Sequence, residues 1–207
     1  MTLFQATIPD WLDRLCAWPI LLYRKFKFGC AFRRFYLGDG FYTAVDPNDY
    51  YRFRRYKWFP IGRRGKFYAA RTIRTDDFNF NIRPLHRDIT NAPKNRIVDH
   101  HNTNSLDNRS PNLRFATHGQ NTYNRPKTKS KTSSRFIGVS FEKRTKRWTA
   151  YVMRKGKTRW IGRFDNEIDA AKARDKAARK YHGQFARLNF PDKPALPQLP
   201  NHIFYSP

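Results

Sequence analysis

Residues 135–183 read RFIGVSFEKRTKRWTAYVMRKGKTRWIGRFDNEIDAAKARDKAARKYHG, and the residue pattern changes once along the stretch. Three short runs rich in β-branched and aromatic residues, RFIGVSFEK, RWTAYVMRK and TRWIGRF, are separated by basic turns, which predicts three strands. After them Asp165 or Asn166 can cap a helix, Glu167 and Asp169 sit in its first turn, and Gly183 stops it. Ala170, Ala173, Ala177 and Tyr181 then share one helix face, a small-residue stripe able to approach a sheet closely. On the middle strand Trp148, Ala150 and Val152 alternate with Arg147, Thr149, Tyr151 and Met153, and the first set is expected to face the helix. The second set, with Lys143 and Arg144 nearby, lies on an open face suited to a DNA groove.

With the closing RLNFP at 187–191, residues 133–191 resemble the DNA-binding domain of the APETALA or ethylene-response-factor type. Gly138, Trp148, Gly162, Phe164, Ala170, Ala171, Asp175, Gly183 and Asn189-Phe190-Pro191 fall where that family's pattern puts them. The resemblance implies a three-stranded antiparallel sheet packed on one helix and inserted into the major groove, with Trp160 matching a DNA-contacting tryptophan. Ile137, Ser140 and Met153 stand where plant members carry base-reading arginines, so their target sequence does not carry over.

Upstream, residues 97–125 read IVDHHNTNSLDNRSPNLRFATHGQNTYNR and concentrate hard oxygen ligands, imidazoles and turn formers. Hydrolysing a phosphodiester needs water activated by a base and a cation that stabilises charge on the phosphate and the leaving oxygen. A strand-end Asp99 can bind the metal while His100 next to it stays free to take a proton. One carboxylate, one further oxygen ligand and a shell completed by water suit Mg²⁺. Alone, an Asp-His pair is more often a loop hydrogen bond.

The ordered series Val-Asp-His, Leu-Asp-Asn-Arg, Asn-Leu-Arg and Gln-Asn resembles the HNH nucleases, and more narrowly the phage and intron-type homing endonucleases. In their ββα-metal fold the resemblance implies His100 as general base, Asp99 and Asn121 as metal ligands, and Asn112 as the residue that pins the loop. Thr117 is placed to cap the short metal-bearing helix. His101 and His118 are expected at the surface, and Asn102, Asn104 and Asn108 in turns.

Composition agrees with a polyanion partner. The 207 residues carry 42 Lys and Arg against 16 Asp and Glu, a net charge of +26. Such a surplus needs nucleic acid or, less simply, an anionic membrane to neutralise it. Residues 1–124 hold 21 basic against 10 acidic side chains and residues 125–191 hold 20 against 5, so both parts are expected to touch DNA. The apolar fraction is 39%, below the roughly 45–50% of a typical globular chain, which favours small domains over one large core. The aromatic share of 16% argues against a basic disordered tail. Cys16 and Cys30 show no CxxC spacing, which excludes a thiolate zinc site and points to a reducing compartment. The apolar run at 15–23 is too short to span a bilayer. Asp10 and Asp13 precede it in place of a basic segment, and no small-residue cleavage site comes after it, so a signal peptide does not fit.

The expected fold is α+β, in six stretches. Residues 1–30 form an arm or short helix interrupted at Pro19, 31–90 a β-rich module containing the strand Lys66–Arg74, and 91–125 the HNH motif. Residues 126–134 form a basic linker, 135–191 the APETALA-type domain, and 192–207 a Pro-rich extended tail. The expected function is a site-selective DNA endonuclease using Mg²⁺ or another divalent ion such as Mn²⁺. DNA is selected by Arg147, Thr149, Tyr151, Trp160, Lys143 and Arg144 and cut at a distance set by the linker. The expected partner is double-stranded DNA, without membrane or small-molecule substrate; a monomer is favoured, cytoplasmic and nucleoid-associated, phage-encoded or bacterial. Two other classes stay open: a DNA-binding regulator that keeps the HNH fold as scaffold, and an RNA-binding protein using its aromatics for stacking.

Overall fold

The computed structural model describes residues 9–63, 65–76, 78–127, 132–192 and 197–205. Helices and small sheets divide into two compact units, the first holding residues 1–92, 104–113 and 196–207, the second 93–103 and 114–195.

In the first unit helix α1 (Asp10–Phe28) precedes a hairpin of β1 (Arg33–Gly38) and β2 (Phe41–Val45) and a short helix α2 (Pro47–Phe53). A three-stranded antiparallel sheet comes next, β3 (Phe59–Arg63), β4 (Lys66–Arg74) and β5 (Phe80–Pro84), then α3 (Leu85–Ile89). The hairpin closes at GDG because Asp39 and Gly40 hold φ at 51° and 74°, the positive values a two-residue hairpin turn requires. Helix α1 continues through Pro19, where the sequence suggests a break. A proline removes one backbone bond and crowds the preceding turn. Tertiary contacts compensate: Ala17 is buried, Arg24 Nη1 donates to Phe32 O at 2.6 Å, and Asp13 pairs with Arg33 at 3.1 Å. The outer face of α1 leaves Trp11, Leu15, Trp18 and Phe26 exposed.

The core of this unit gathers Phe32, Phe35, Trp58, Leu85, Leu106 and Phe204. Phe204 corrects one expectation, because residues 197–205 are not an extended tail. Leu199, Ile203 and Phe204 are buried, Tyr42 N donates to Phe204 O at 2.9 Å, and Phe41 bridges to Tyr205. The prolines masked three apolar side chains spaced to reach a core, and Pro200 leads into a single tight turn, Asn201–Ile203. Residues 193–196, 206 and 207, and residue 64 of the expected Arg63–Gly65 turn, lie outside the described residues.

The second unit contains a two-stranded sheet of β6 (Ile97–His100) and β7 (Leu113–Ala116), then helix α4 (His118–Tyr123). After it come β8 (Val139–Glu142), β9 (Arg147–Arg154), β10 (Lys157–Phe164) and α5 (Glu167–His182). The last three strands form an antiparallel sheet in the order β10-β9-β8, against which α5 packs. Asn166 is the cap of α5, its side chain accepting from Ile168 N and Asp169 N.

The buried stripe of α5 differs from the expected one. It consists of Ala170, Ala171, Arg174, Asp175, Ala178 and His182, while Tyr181 is exposed. A hydrophobic pattern misses this face because two of its members are charged. Arg174 Nη1 pairs with Asp175 at 3.1 Å and also donates to Arg187 O. Asp175 in turn accepts from the backbone N–H of Asn189 at 2.7 Å and Phe190 at 2.8 Å. Asn189 Oδ1 accepts from Ile137 N at 2.7 Å, so the closing Asn-Phe-Pro is tied to both helix and sheet.

Candidate active site and nucleic-acid interface

Strand β6 places Asp99 and His100 side by side at its end, and both are buried. The Asp99 carboxylate is held from two sides. Arg114, from β7, donates Nε and Nη2 to Oδ2 at 2.9 and 2.8 Å. Asn124, just past α4, contacts Oδ1 at 3.3 Å and Oδ2 at 3.1 Å with Nδ2, which also lies 3.0 Å from His100 O. Sequence reasoning singles out neither residue. The available signal is spacing: Asn124 comes three positions after Asn121, which brings both to one helix face, and Arg114 belongs to the Asn-Leu-Arg series.

Asn121 is half-buried on α4, which packs against β6. Thr117 starts this helix with a capping box: its hydroxyl accepts from Gln120 N at 3.2 Å, and Gln120 Oε1 accepts from Thr117 N at 2.8 Å. His118 is exposed and His101 half-buried. Burial, followed by the nearby Arg114 guanidinium, pushes the His101 imidazole below its usual value and favours its neutral form.

Residues 104–112, between β6 and β7, belong to the first unit and are hydrogen-bonded within it. Thr43 Oγ1 donates to Leu106 O at 2.7 Å, and Asn108 N donates to Ala44 O at 2.8 Å. Arg109 forms a bidentate pair with Asp107, both contacts 2.7 Å, and donates to Pro197 O at 2.9 Å. Asn112 is fully buried and its amide donates to Asp107 O at 2.7 Å, so its side chain braces this loop. Asn108 is likewise fully buried, with Nδ2 on Thr43 Oγ1 at 2.7 Å. The left-handed position nearby is Thr103, at φ 66°.

Among the described residues no three His, Cys, Asp or Glu side chains converge. An all-protein cation cage is therefore not what these residues could form. A water-retaining cation needs less, one or two protein oxygens. Asp99 fits that demand in kind: Oδ2 is engaged by Arg114, and among the described residues Oδ1 receives a 3.3 Å contact from Asn124. The amide oxygen of Asn121 is a second hard donor.

The sheet face of β8–β10 opposite α5 carries Arg147, Tyr151 and Trp160, with Lys143 and Arg144 in the turn between β8 and β9. Trp160 and Arg144 are well exposed. Thr149, expected on the same open face, is buried. Its hydroxyl is 2.9 Å from Ser140 Oγ and donates to Ser140 O at 3.0 Å, so it joins two strands beneath the larger side chains. Arg147 pairs with Asp165 and Arg163 with Glu142, both at 2.8 Å. The Thr145 hydroxyl, then Arg163, hold the Glu142 carboxyl below its usual range.

Helix α4 and the C-terminal end of α5 meet directly. The Tyr123 ring stacks on His182 with centroids 3.8 Å apart and planes at 6°. Arg114 Nη1 donates to Gln184 O at 2.6 Å, and its guanidinium lies 4.2 Å from the Phe185 ring centroid. Of the residues expected to form a nuclease motif joined by a linker to the β8–β10 sheet, 93–103 and 114–125 fall in the same compact unit as that sheet and 104–113 in the other. Residues 128–131 of that linker, where the Lys127–Lys131 run was expected to track phosphates, lie outside the described residues.

The second unit thus holds two strands and a helix bearing Asp99, His100 and Asn121, followed by a three-stranded antiparallel sheet packed on one helix. A protein of Acanthamoeba polyphaga mimivirus described as an uncharacterised HNH endonuclease is 30% identical over 139 residues, which span 64% of this chain and 71% of the viral protein. The chain belongs to that HNH family. Protein 3.8 of Escherichia phage T7 is 33% identical over 96 residues, 46% of this chain and 78% of its own. An APETALA2-like protein of Oryza sativa subsp. japonica is 43% identical over 58 residues, 28% of this chain. An AP2-like ethylene-responsive transcription factor of Arabidopsis thaliana matches at the same identity and length. The chain spans only 13% and 12% of these two plant proteins. No family model matches the chain, and no solved structure matches it significantly. Among the described residues no helix is long and apolar enough to cross a membrane.

Proposed function

We propose that the chain is a site-selective DNA endonuclease of HNH type. The observation that carries this reading is the placement of Asp99 and His100 at the end of β6, with the Asn121-bearing helix packed on that strand, in one unit with the β8–β10 sheet. His100 takes a proton from water, the water oxygen attacks phosphorus, and the P–O bond to the leaving sugar oxygen breaks. Asp99 and Asn121 would hold a divalent cation, Mg²⁺ or Mn²⁺, which supplies electrostatic stabilisation of the phosphate and leaving oxygen. Arg114 and Asn124 orient the Asp99 carboxylate, and Asn112 braces the loop between the two strands. Arg147, Tyr151, Trp160, Lys143 and Arg144 bind the duplex, the basic ones through phosphates as well as bases.

The reading is tested by incubating supercoiled plasmid bearing the native genomic flanks with purified protein. Conversion to open-circular or linear DNA in Mg²⁺, stopped by chelation, is expected. One observation favours a second reading: two of the Asp99 contacts come from Arg114 and neutralise the carboxylate. A DNA-binding regulator that keeps the motif as scaffold needs no more than that. It predicts tight, salt-sensitive binding with no conversion in any divalent ion.

A further inference from the structure

The contact between α4 and α5 has a consequence for where DNA is cut. Tyr123 is the last residue of α4 and His182 the last of α5. His182 is anchored from behind, its Nε2 hydrogen-bonded to Met153 O on β9. The Tyr123 hydroxyl accepts from Lys155 N, in the β9–β10 turn, at 3.3 Å. A second contact lies on β7, where Arg114 reaches the turn after α5 through Gln184 O and Phe185. Two separate elements of the nuclease motif are therefore fastened to the same end of the sheet-on-helix domain.

We propose that the Tyr123–His182 stack is a positioning contact that fixes the offset between the DNA site held by the sheet and the phosphate that is cut. The inference rests on the nuclease reading above and adds to it a determinant of cleavage position. A motif tethered only through a flexible linker samples many phosphates at similar effective concentration. A motif docked by a near-parallel ring stack samples few. Tyr123 does not touch the reacting atoms; it acts through the placement of α4, which carries Asn121.

The test uses the full chain and an end-labelled duplex selected for tight binding, with wild type, Tyr123→Ala and Tyr123→Phe. Wild type is expected to cut at one dominant phosphate. In Tyr123→Ala the fraction cut there falls by about two- to tenfold, matching the contribution of an aromatic pair, and cuts spread to neighbouring phosphates while affinity for the duplex is retained. Tyr123→Phe keeps the ring and restores the wild-type position. Unchanged cleavage position and sharpness in Tyr123→Ala overturns the proposal.

A parallel arm does not depend on nuclease activity. Iron-EDTA is attached to the exposed position of His118→Cys in a Cys16→Ser/Cys30→Ser background, and radical scission of the bound duplex is mapped. A narrow scission pattern that broadens with Tyr123→Ala supports the docking. Equal patterns with and without Tyr123 overturn it. Failure of wild type to cut overturns the nuclease reading alone, and the radical arm still decides the docking.

Discussion

Arg174 and Asp175, adjacent in sequence and both buried in α5, form a 3.1 Å ion pair that also ties the closing Asn189 and Phe190 to the helix. The pair ties the sheet-on-helix domain together at its C-terminal end, because Arg174 donates to Arg187 O and Asp175 accepts from Asn189 N and Phe190 N.

Asp175→Ala leaves the Arg174 guanidinium buried without its counter-ion and strips two backbone donors of their acceptor. A loss of about 3–5 kcal/mol is expected, measured by urea or thermal unfolding of the second unit. Asp175→Asn keeps some of the acceptors and falls between wild type and alanine.

Stability of the second unit is expected to fall on acidification. Burial first, and the nearby Arg174 charge, push the His182 imidazole below its ordinary value, partly opposed by the Met153 carbonyl; His101 is shifted in the same direction. A depressed imidazole pKa means the folded state holds the neutral ring. The contribution is thus complete above the unfolded value of about 6.5 and is lost as pH falls through the lower folded value. Unfolding midpoints measured between about pH 7.5 and 5 should drop. His182→Phe, which retains a ring against Tyr123, should flatten part of that slope.

Thr149 and Trp160 are expected to separate stability from binding. Trp160→Ala removes an exposed ring and should weaken duplex binding with little change in unfolding midpoint. Thr149→Val removes the Ser140 bonds and should cost about 1 kcal/mol of stability while leaving affinity of the folded protein unchanged. Gel-shift titration and thermal unfolding on the same preparations check both.

Arg114→Ala should destabilise the second unit, because Asp99 loses two of its hydrogen bonds and Gln184 O its Arg114 donor. An exposed-pair cost of about 1 kcal/mol is the lower bound, and the buried position of Asp99 raises it. Isothermal titration with Mn²⁺ should show tighter binding than in wild type once the carboxylate is free of the guanidinium. Unchanged Mn²⁺ affinity would remove Asp99 as a cation ligand.

Much of the C-terminal domain is legible in sequence, since alternation on β9 and the Asn166 cap arise from local chemistry. The helix face is displaced because Arg174 and Asp175 occupy core positions, and a hydrophobic pattern cannot see a buried ion pair. Residues 197–205 mislead for a similar reason: proline-rich composition outweighs Leu199, Ile203 and Phe204, whose burial depends on contacts distant in the chain. Asp99, His100, Asn112 and Asn121 are singled out in the sequence by an ordered series of motifs. For Arg114 and Asn124 the sequence offers only position within or near those motifs; their shared partner, the Asp99 carboxylate, is visible only after folding.

In the proposed endonuclease His100 activates water for attack on a phosphate. The most direct test of that role is the single-turnover cleavage rate of His100→Ala relative to wild type on a labelled duplex, with affinity measured on that duplex in parallel. A rate loss of about 10²- to 10⁴-fold, the range for removal of a general base, is expected with binding nearly intact. A variant that cuts as fast as wild type, or that loses binding and cleavage together while still folded, contradicts that role.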